Sequence, residues 1–188
     1  MIRFAAMLLL VARAAFAAQD VSIEAVRNGK AVEINARATI EASYPVLWGT
    51  LTDYGKLSEF IPGMRMSRVV EWRGNEAIVE QTGEARFLFF RFPIEVTVGS
   101  ASRPPDAIDV RVLKGNLKRL DGGYRVEDAG AGRIVLRWNG LIEPEGFLPP
   151  LIGVAVMRSN IEDQFLGMVH EIERREALHR ANDRKGKS

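Results

Sequence analysis

The sequence contains no cysteine and only two histidines, His170 and His179. Without thiols the chain has no disulfide framework and no site for a lipid-modified cysteine, so its fold must be stabilised by a hydrophobic core. There is no cluster of His and Cys with zinc-ligand spacing and no His-Glu-x-x-His motif. These absences disfavour zinc chemistry, and we expect neither a metal nor a cofactor.

Two further catalytic motifs are missing. No Gly-x-Ser-x-Gly segment is present, and Ser159 has no histidine beside it. The segment 130–133 begins like a dinucleotide fingerprint but lacks the third glycine, and it is predicted to be a hairpin turn. What remains is catalysis in a pocket, where orientation of a flexible substrate and one polar group suffice. Candidates for that group, none singled out by its surroundings, are Asp53, Glu80, Tyr124 and Arg158.

The most pronounced apolar run lies at the start of the chain and is too short to cross a membrane. Residues 4–12 are apolar, whereas a membrane-spanning helix needs about 20 residues. Arg3 precedes the run and Ala15-Phe-Ala17 follows it as a small-x-small cleavage site, which is typical of a signal peptide. A membrane anchor is the alternative, but Arg13 interrupts any longer run. We interpret residues 1–17 as a cleaved signal peptide and predict a periplasmic or secreted protein.

The slight basic surplus of the chain belongs to that leader. Without Arg3 and Arg13, 24 basic residues face 24 acidic ones. A nucleic-acid-binding domain normally keeps a basic surplus on its folded part, so we predict no nucleic-acid partner. The last residues, 180–188, hold a basic cluster that is interpreted as a flexible tail.

Much of the chain after residue 30 shows the two-residue periodicity of half-buried strands. In residues 88–98 the apolar face is the strongest in the chain and includes Leu88, Phe90 and Phe92. Turns are predicted at 73–75 and 121–123, and residues 18–30 are assigned to an N-terminal extension. The strands, about seven in number, are predicted at 32–40, 65–71, 77–84, 88–98, 107–113, 117–126 and 134–142.

The C-terminal part, from residue 149 to about 179, predicts one long amphipathic helix. Its apolar side chains fill an arc of roughly 120°, as in a helix that lies on a core. A thin strip beside this arc holds Gly153, Asn160 and Gly167. Either the sheet approaches the helix closely at the strip, or the strip leaves volume for a guest molecule. The arc is formed by Leu151, Val154, Met157, Ile161, Phe165, Met168, Val169 and Ile172.

Two short helices are predicted after the first strand. Trp48 and residues 51–64 show helical apolar spacing, Pro45 suits a first turn, and Gly55 is expected to end the first helix in a left-handed conformation. Together with Gly115-Asn-Leu-Lys118 and the last helix, this segment resembles the START-like, Bet v 1-like superfamily, which includes polyketide cyclase/dehydrase and coenzyme Q-binding domains. The resemblance covers about residues 31–177.

The resemblance implies an α+β helix-grip fold, in which a sheet of about seven antiparallel strands wraps around the long C-terminal helix. We place this START-like domain at residues 31–179. The two short helices would close one end of a hydrophobic pocket. Members of the superfamily bind lipids, quinones, sterols or polyketides, and only some are enzymes, so the resemblance defines the fold better than the function.

The hollow fold makes apolar and aromatic side chains candidates for a pocket wall, although such residues are more often plain core. Arg158 interrupts the apolar arc of the last helix and has two interpretations. It either forms an ion pair with Glu162 or anchors a ligand carbonyl, phenolate or carboxylate. The predicted ligand-binding residues are Trp48, Tyr54, Phe60, Leu88, Phe90, Phe92, Met157, Arg158, Ile161, Phe165 and Met168.

The predicted function is binding or transport of a hydrophobic small molecule, such as a lipid, a quinone or a polyketide-like compound. One alternative is a cyclase/dehydrase-type enzyme that acts on such a ligand. Another is a protein-interaction module with a collapsed pocket. If exposed, Phe87, Phe89 and residues 147–152 would form docking surfaces for a membrane or a partner. The sequence does not define an oligomeric state.

Overall fold

A computed structural model describes residues 18–87, 90–145 and 150–186 of the protein. The predicted signal peptide, residues 1–17, lies outside this part, as does Leu88. The strands are β1 (Gln19–Asn28), β2 (Ala31–Glu41), β3 (Met64–Arg73), β4 (Glu76–Phe87), β5 (Phe90–Arg103), β6 (Ala107–Gly115), β7 (Leu117–Gly130) and β8 (Arg133–Pro144). The α-helices are α1 (Tyr44–Leu51), α2 (Leu57–Phe60) and α3 (Pro150–Lys185).

The strands form one antiparallel sheet in the order β1-β2-β8-β7-β6-β5-β4-β3. The chain leaves β2, crosses to the far edge of the sheet through α1 and α2, and returns strand by strand to pair β8 with β2. The long helix α3 packs on the inner face of this sheet, as the shared apolar clusters show. The α+β helix-grip fold expected from the sequence is therefore confirmed.

The sheet has eight strands rather than about seven, because residues 19–28 are not a mere extension. They form β1, which pairs with β2 through a two-residue turn that holds Gly29 at φ +63°. Ile23 and Ala25 on β1 pack on the buried apolar side chains of β2. Strands β2 to β8 correspond to the seven predicted ones, and β1 extends the sheet at its edge.

The predicted turn at residues 121–123 is wrong, because β7 runs without interruption from Leu117 to Gly130. The two glycines there serve close strand packing instead. A side chain at Gly122 would collide with the backbone of Asn139 on β8, and one at Gly123 would collide with the backbone of Ile108 on β6. Glycine at these positions therefore permits strand contact without breaking the strand.

Between β2 and β3 the chain forms two short helices, as predicted, with a 3-10 turn from Tyr54 to Lys56 between them. Pro45 occupies the first turn of α1. Gly55 does not have the expected left-handed conformation, since it lies within the 3-10 turn. The positive φ, +79°, occurs at Gly63, where the chain turns into β3.

The last helix is longer than predicted and spans 36 residues, or about 54 Å. It continues past His179 to Lys185, so most of the predicted flexible tail is helical. Arg180, in the first turn of that extension, donates from Nε to Glu176 at 2.7 Å.

Candidate functional site

One half of the space between α3 and the sheet is solid core. Phe165, Met168, Val169 and Ile172 of α3 are only 0–3% exposed. They belong to the same buried cluster as Leu47 of α1 and the inner-face residues of β2, β4 and β8. The short helices thus seal this end by close packing, which leaves no room for a ligand among these side chains.

The other half, beneath the N-terminal part of α3, is more open, and we refer to it as the open end. Its apolar side chains point to the inner face of the sheet or come from α3, yet they keep accessible surface. Such residues are normally fully buried when a helix covers a sheet. The residues of the open end are Phe92, Ile94, Val110, Val112, Leu117, Leu120, Tyr124, Trp138, Val154, Met157 and Ile161.

The predicted site residues divide between the two halves. Met157, Ile161 and Phe92 belong to the open end, and Phe165 and Met168 belong to the solid core. Leu88 and the side chain of Phe90 fall outside the described residues, although Phe90 pairs with Phe87 in the β4–β5 hairpin. The structure therefore moves the candidate site towards the N-terminal half of α3.

The aromatic residues of the short helices contribute to structure rather than to the open end. Tyr54 is 5% exposed, and its hydroxyl lies 2.9 Å from the Ser100 hydroxyl. Trp48 stacks on Tyr44 with ring centroids 5.9 Å apart. Phe60 lies beneath the guanidinium of Arg175, with 5.4 Å from Cζ to the ring centroid. The stack of Trp48 on Tyr44 is internal to α1, whereas the contacts of Tyr54 and Phe60 fix the segment of the short helices to β5 and α3.

Arg158 does not form the ion pair with Glu162 that was one of the two interpretations of it. Its side chain is exposed, and its Nε donates to the carbonyl of Ile23 at 3.4 Å. Among the ion pairs of the described residues, none joins Arg158 to Glu162. The physical reason is the edge strand β1, which the sequence analysis did not assign and which presents backbone acceptors to α3.

Two residues of the open end, absent from the predicted binding set, carry polar atoms. Tyr124 on β7 and Trp138 on β8 are direct neighbours across the two strands and face α3. Burial raises the pKa of the Tyr124 phenol, so the hydroxyl stays protonated at neutral pH. The sequence indicated Tyr124 only as one of four polar candidates. The turn predicted at 121–123 would have ended the strand before Tyr124, so its inward orientation did not follow from the strand pattern.

Trp138 lies flat along the inner wall because the neighbouring residue on the same face is Gly140. A side chain at Gly140 would overlap the six-membered ring of Trp138. Gly122, which pairs with Gly140, also leaves the wall without a side chain at that level. The two glycines therefore make a smooth, partly aromatic surface beneath α3.

The helix α3 is tied to the short helices by a network of charged side chains. Arg175 donates to Asp53 at 3.0 Å and to Glu171 at 2.7 Å. Glu171 also accepts two hydrogen bonds from Arg174, which lower its pKa, and the smaller effect of burial acts in the opposite direction. This network keeps the solid half of the structure closed.

The strip on α3 is explained by close contacts at two of its three positions. A side chain at Gly167 would lie 2.5 Å from Cδ of Pro62 and 2.7 Å from the carbonyl oxygen of Phe60. Asn160 donates to the backbone carbonyl of Arg86 at 3.0 Å and accepts its N–H at 3.3 Å. The Asn160 amide thus bonds to backbone groups of β4 in the part of that strand that no longer pairs with β3. Gly167 lets α3 approach α2 and the residues that follow it.

A polar groove of about 430 Å³ lies on the opposite, outer face of the sheet. Its polar groups are largely paired with one another, as Asn139 donates to Asn35 at 2.6 Å and Arg125 donates to Asp109 at 2.7 Å. Within residues 18–87, 90–145 and 150–186, no group of acidic or histidine side chains is arranged to hold a metal ion. No helix in that part of the chain has the length and apolar character needed to span a bilayer.

The fold and the open end together define a helix-grip protein of the hydrophobic-ligand-binding type. The chain belongs to the family described as polyketide cyclase / dehydrase and lipid transport, whose sequence profile matches residues 40–165. No curated protein sequence matches the chain.

Solved structures share the fold at low sequence identity. An aromatase/cyclase from a Streptomyces species is 14% identical, with a TM-score of 0.64 over 76% of this chain and 92% of its own. A STAR-related lipid transfer protein from Xanthomonas axonopodis is 13% identical, with a TM-score of 0.62 over 81% of this chain and 92% of its own. The human StAR-related lipid transfer protein 5 is 7% identical, with a TM-score of 0.66 over 81% of this chain and 86% of its own.

Proposed function

We propose that the protein binds a hydrophobic small molecule at the open end and carries or sequesters it. The observation that supports this function is the uneven burial beneath α3. Phe165 and Met168 are almost fully buried, whereas Met157 and Ile161, on the same apolar arc, keep accessible surface. A lipid, a quinone or a polyketide-like molecule would cover that surface and gain about 25 cal/mol for each Å² removed from water.

Membership of the family supports this proposal without naming the ligand. The family description includes both polyketide cyclase/dehydrase and lipid transport. Two of the structural relatives are named as lipid transfer proteins and one as an aromatase/cyclase. The accessible apolar surface of the open end lies between α3 and the sheet rather than on the outside of the molecule, which favours uptake of a small molecule over docking of a partner protein.

The direct test is to fill the open end from α3. Ile161→Trp places a larger side chain among the accessible apolar residues and is expected to abolish uptake of the neutral dye Nile red. Leu178→Trp is the matched control, since Leu178 lies on the same helix and is 53% exposed. Circular dichroism would establish that both variants are folded. Equal dye binding by Ile161→Trp and the parent protein would contradict the proposal.

Mass spectrometry of lipid extracts from the protein purified from its own host would then identify the natural ligand. We expect one apolar compound to be more abundant in the extract of the parent protein than in the extract of the Ile161→Trp variant. An extract identical to that of the variant would show that the open end holds no resident ligand.

A second candidate function, cyclase/dehydrase-type catalysis, is favoured by one observation. Tyr124 faces α3 at the open end, and its hydroxyl, whose pKa is raised by burial, is protonated at neutral pH and can donate a hydrogen bond to a substrate carbonyl oxygen. In an intramolecular aldol condensation, an α-carbon of the substrate would lose a proton and form a carbon–carbon bond to the carbonyl carbon, and the carbonyl oxygen would become a hydroxyl. That hydroxyl would then leave as water together with a second hydrogen of the same α-carbon, as a carbon–carbon double bond forms. Incubation of the protein with a linear polyketone, followed by mass spectrometry for loss of water, tests this candidate, with Tyr124→Phe as the control.

A further inference from the structure

The hydroxyl of Tyr124 is a polar group on an otherwise apolar wall. Tyr124 faces α3 between Ile108 and Trp138, its partners on the two neighbouring strands. No residue in the described part of the chain forms a hydrogen bond with this hydroxyl, although the side chain is only partly accessible. The hydroxyl is not among the fully buried side-chain atoms that lack a partner in the described residues, so it keeps accessible surface and is free to bond to a guest.

The indole of Trp138 provides the second polar atom and a flat surface. Its N–H also makes no hydrogen bond with any residue that the structure describes, and Gly140 lets the ring lie against the wall. Ring-shaped guests stack on such a surface more favourably than flexible chains of equal area, because a rigid ring loses little conformational entropy. The wall therefore combines a stacking surface with the hydroxyl donor of Tyr124 on the neighbouring strand.

The surroundings of these donors carry no charge. The raised pKa of Tyr124 has burial as its cause, with no contribution from an ionised neighbour. The described side chains of the open end are all neutral, and Arg158 is turned towards β1. A carboxylate placed here would be desolvated without a cation to compensate it, which is unfavourable. The wall therefore favours a neutral oxygen over an ionised one.

We infer that the open end selects a neutral, ring-bearing molecule whose carbonyl or hydroxyl oxygen accepts a hydrogen bond from Tyr124 while its ring lies on Trp138. This inference rests on the proposed ligand-binding function and narrows it. Tyr124 determines specificity for the oxygen, and Trp138 with Gly140 determines the preference for a ring. Fatty acids, which carry an ionised carboxylate and no ring, are poor ligands for this wall.

The test compares three naphthalene probes of nearly equal size. Acetonaphthone carries a carbonyl oxygen, isopropylnaphthalene has a methyl group in its place, and naphthoate carries an ionised carboxylate. Their dissociation constants are measured by equilibrium dialysis with the parent protein and with Tyr124→Phe. Tyr44→Phe is the control, since the Tyr44 hydroxyl donates to the backbone of Pro105 far from this wall.

Removal of the Tyr124 hydroxyl is expected to weaken acetonaphthone binding by about three- to tenfold, the range for one neutral hydrogen bond. Isopropylnaphthalene binding should be unchanged, and naphthoate should bind most weakly to both proteins. Trp138→Leu should weaken acetonaphthone and isopropylnaphthalene by similar factors, since it removes the stacking surface and leaves the hydroxyl.

Two results would overturn the inference while the proposed function survives: an equal effect of Tyr124→Phe on the ketone and the hydrocarbon, or tightest binding of naphthoate. If the parent protein binds none of the probes and no Nile red, the ligand-binding function itself fails, and the inference fails with it.

Discussion

Glu176 on α3 accepts two hydrogen bonds from Ser43, one from its backbone N–H at 2.9 Å and one from its hydroxyl at 2.7 Å. Ser43 is the N-cap residue directly before α1, so the carboxylate also lies near the positive end of that helix. The contact joins residues 133 positions apart in the sequence and fixes the short helices to the solid half of the core.

Replacement of this carboxylate should destabilise the fold. Because the Glu176 side chain is only 6% exposed and bonded to Ser43 and Arg180, Glu176→Gln is expected to cost about 1–3 kcal/mol in the free energy of unfolding. Urea denaturation measures this change. Glu173→Gln on the same helix is the control, and an equal loss there would mean that the effect is not specific to the Ser43 contact.

The same carboxylate predicts how stability depends on acid. Burial of Glu176 would raise its pKa, but the hydrogen bonds from Ser43 and Arg180 outweigh burial and hold it below the ordinary value of 4.5. Its contribution to stability is therefore complete above pH 4.5 and is lost as the pH falls through the lower folded-state pKa. Between neutral and acidic pH, the free energy of unfolding should fall less for Glu176→Gln than for the parent protein. An equal fall in both proteins would refute the assignment.

Two helical glycines should respond in opposite directions to alanine. Gly167→Ala would force a methyl group to within 2.5 Å of Pro62, so we expect a loss of about 1–3 kcal/mol despite the better helix propensity. Gly49 in α1 is exposed and has nothing within 4 Å of its side-chain position. Gly49→Ala should therefore stabilise the protein by about 0.5–1 kcal/mol. Thermal denaturation of both variants distinguishes close packing from propensity, and stabilisation by Gly167→Ala would disprove the close contact.

The fold was largely predictable because its signals are local. Alternating apolar residues specify strands β2 to β8, and the apolar arc specifies α3. The glycines at 122 and 123 were misread, since glycine permits both a turn and a close strand approach. Only the neighbouring backbones of Asn139 and Ile108 show which of the two applies.

The candidate site was less predictable because it depends on contacts between distant segments. Met157 and Phe165 are equivalent on the helical arc, and nothing local indicates that the short helices bury one and leave the other accessible. Trp138 gave no signal of its own, since its flat position depends on Gly140 and on the partner strand. Arg158 was interpreted without β1, whose carbonyl it contacts.

We propose that the protein is exported and that its mature form begins at Ala18. Cleavage before Ala18 would leave the whole sheet intact, since β1 begins at Gln19. Intact-mass measurement of material from a periplasmic extract should give the mass of residues 18–188. The full 188-residue chain in a membrane fraction would indicate an anchor instead.

The Tyr124 phenol should titrate later than the other tyrosines and should make the protein alkali-sensitive. Burial raises its pKa above the ordinary value of 10.0, so the folded protein keeps the proton where the unfolded chain loses it. Below pH 10.0 both states hold the proton and Tyr124 adds no pH dependence, whereas above this value the unfolded state gains stability by ionising. Ultraviolet absorbance of tyrosinate during an alkaline titration should show a late step in the parent that Tyr124→Phe lacks. Denaturation of that variant should also depend less steeply on pH in the alkaline range. If Tyr124→Phe instead lacks an early step of the titration and keeps the late part of the curve, the Tyr124 hydroxyl is solvated in the folded protein. It would then not belong to the wall of the open end.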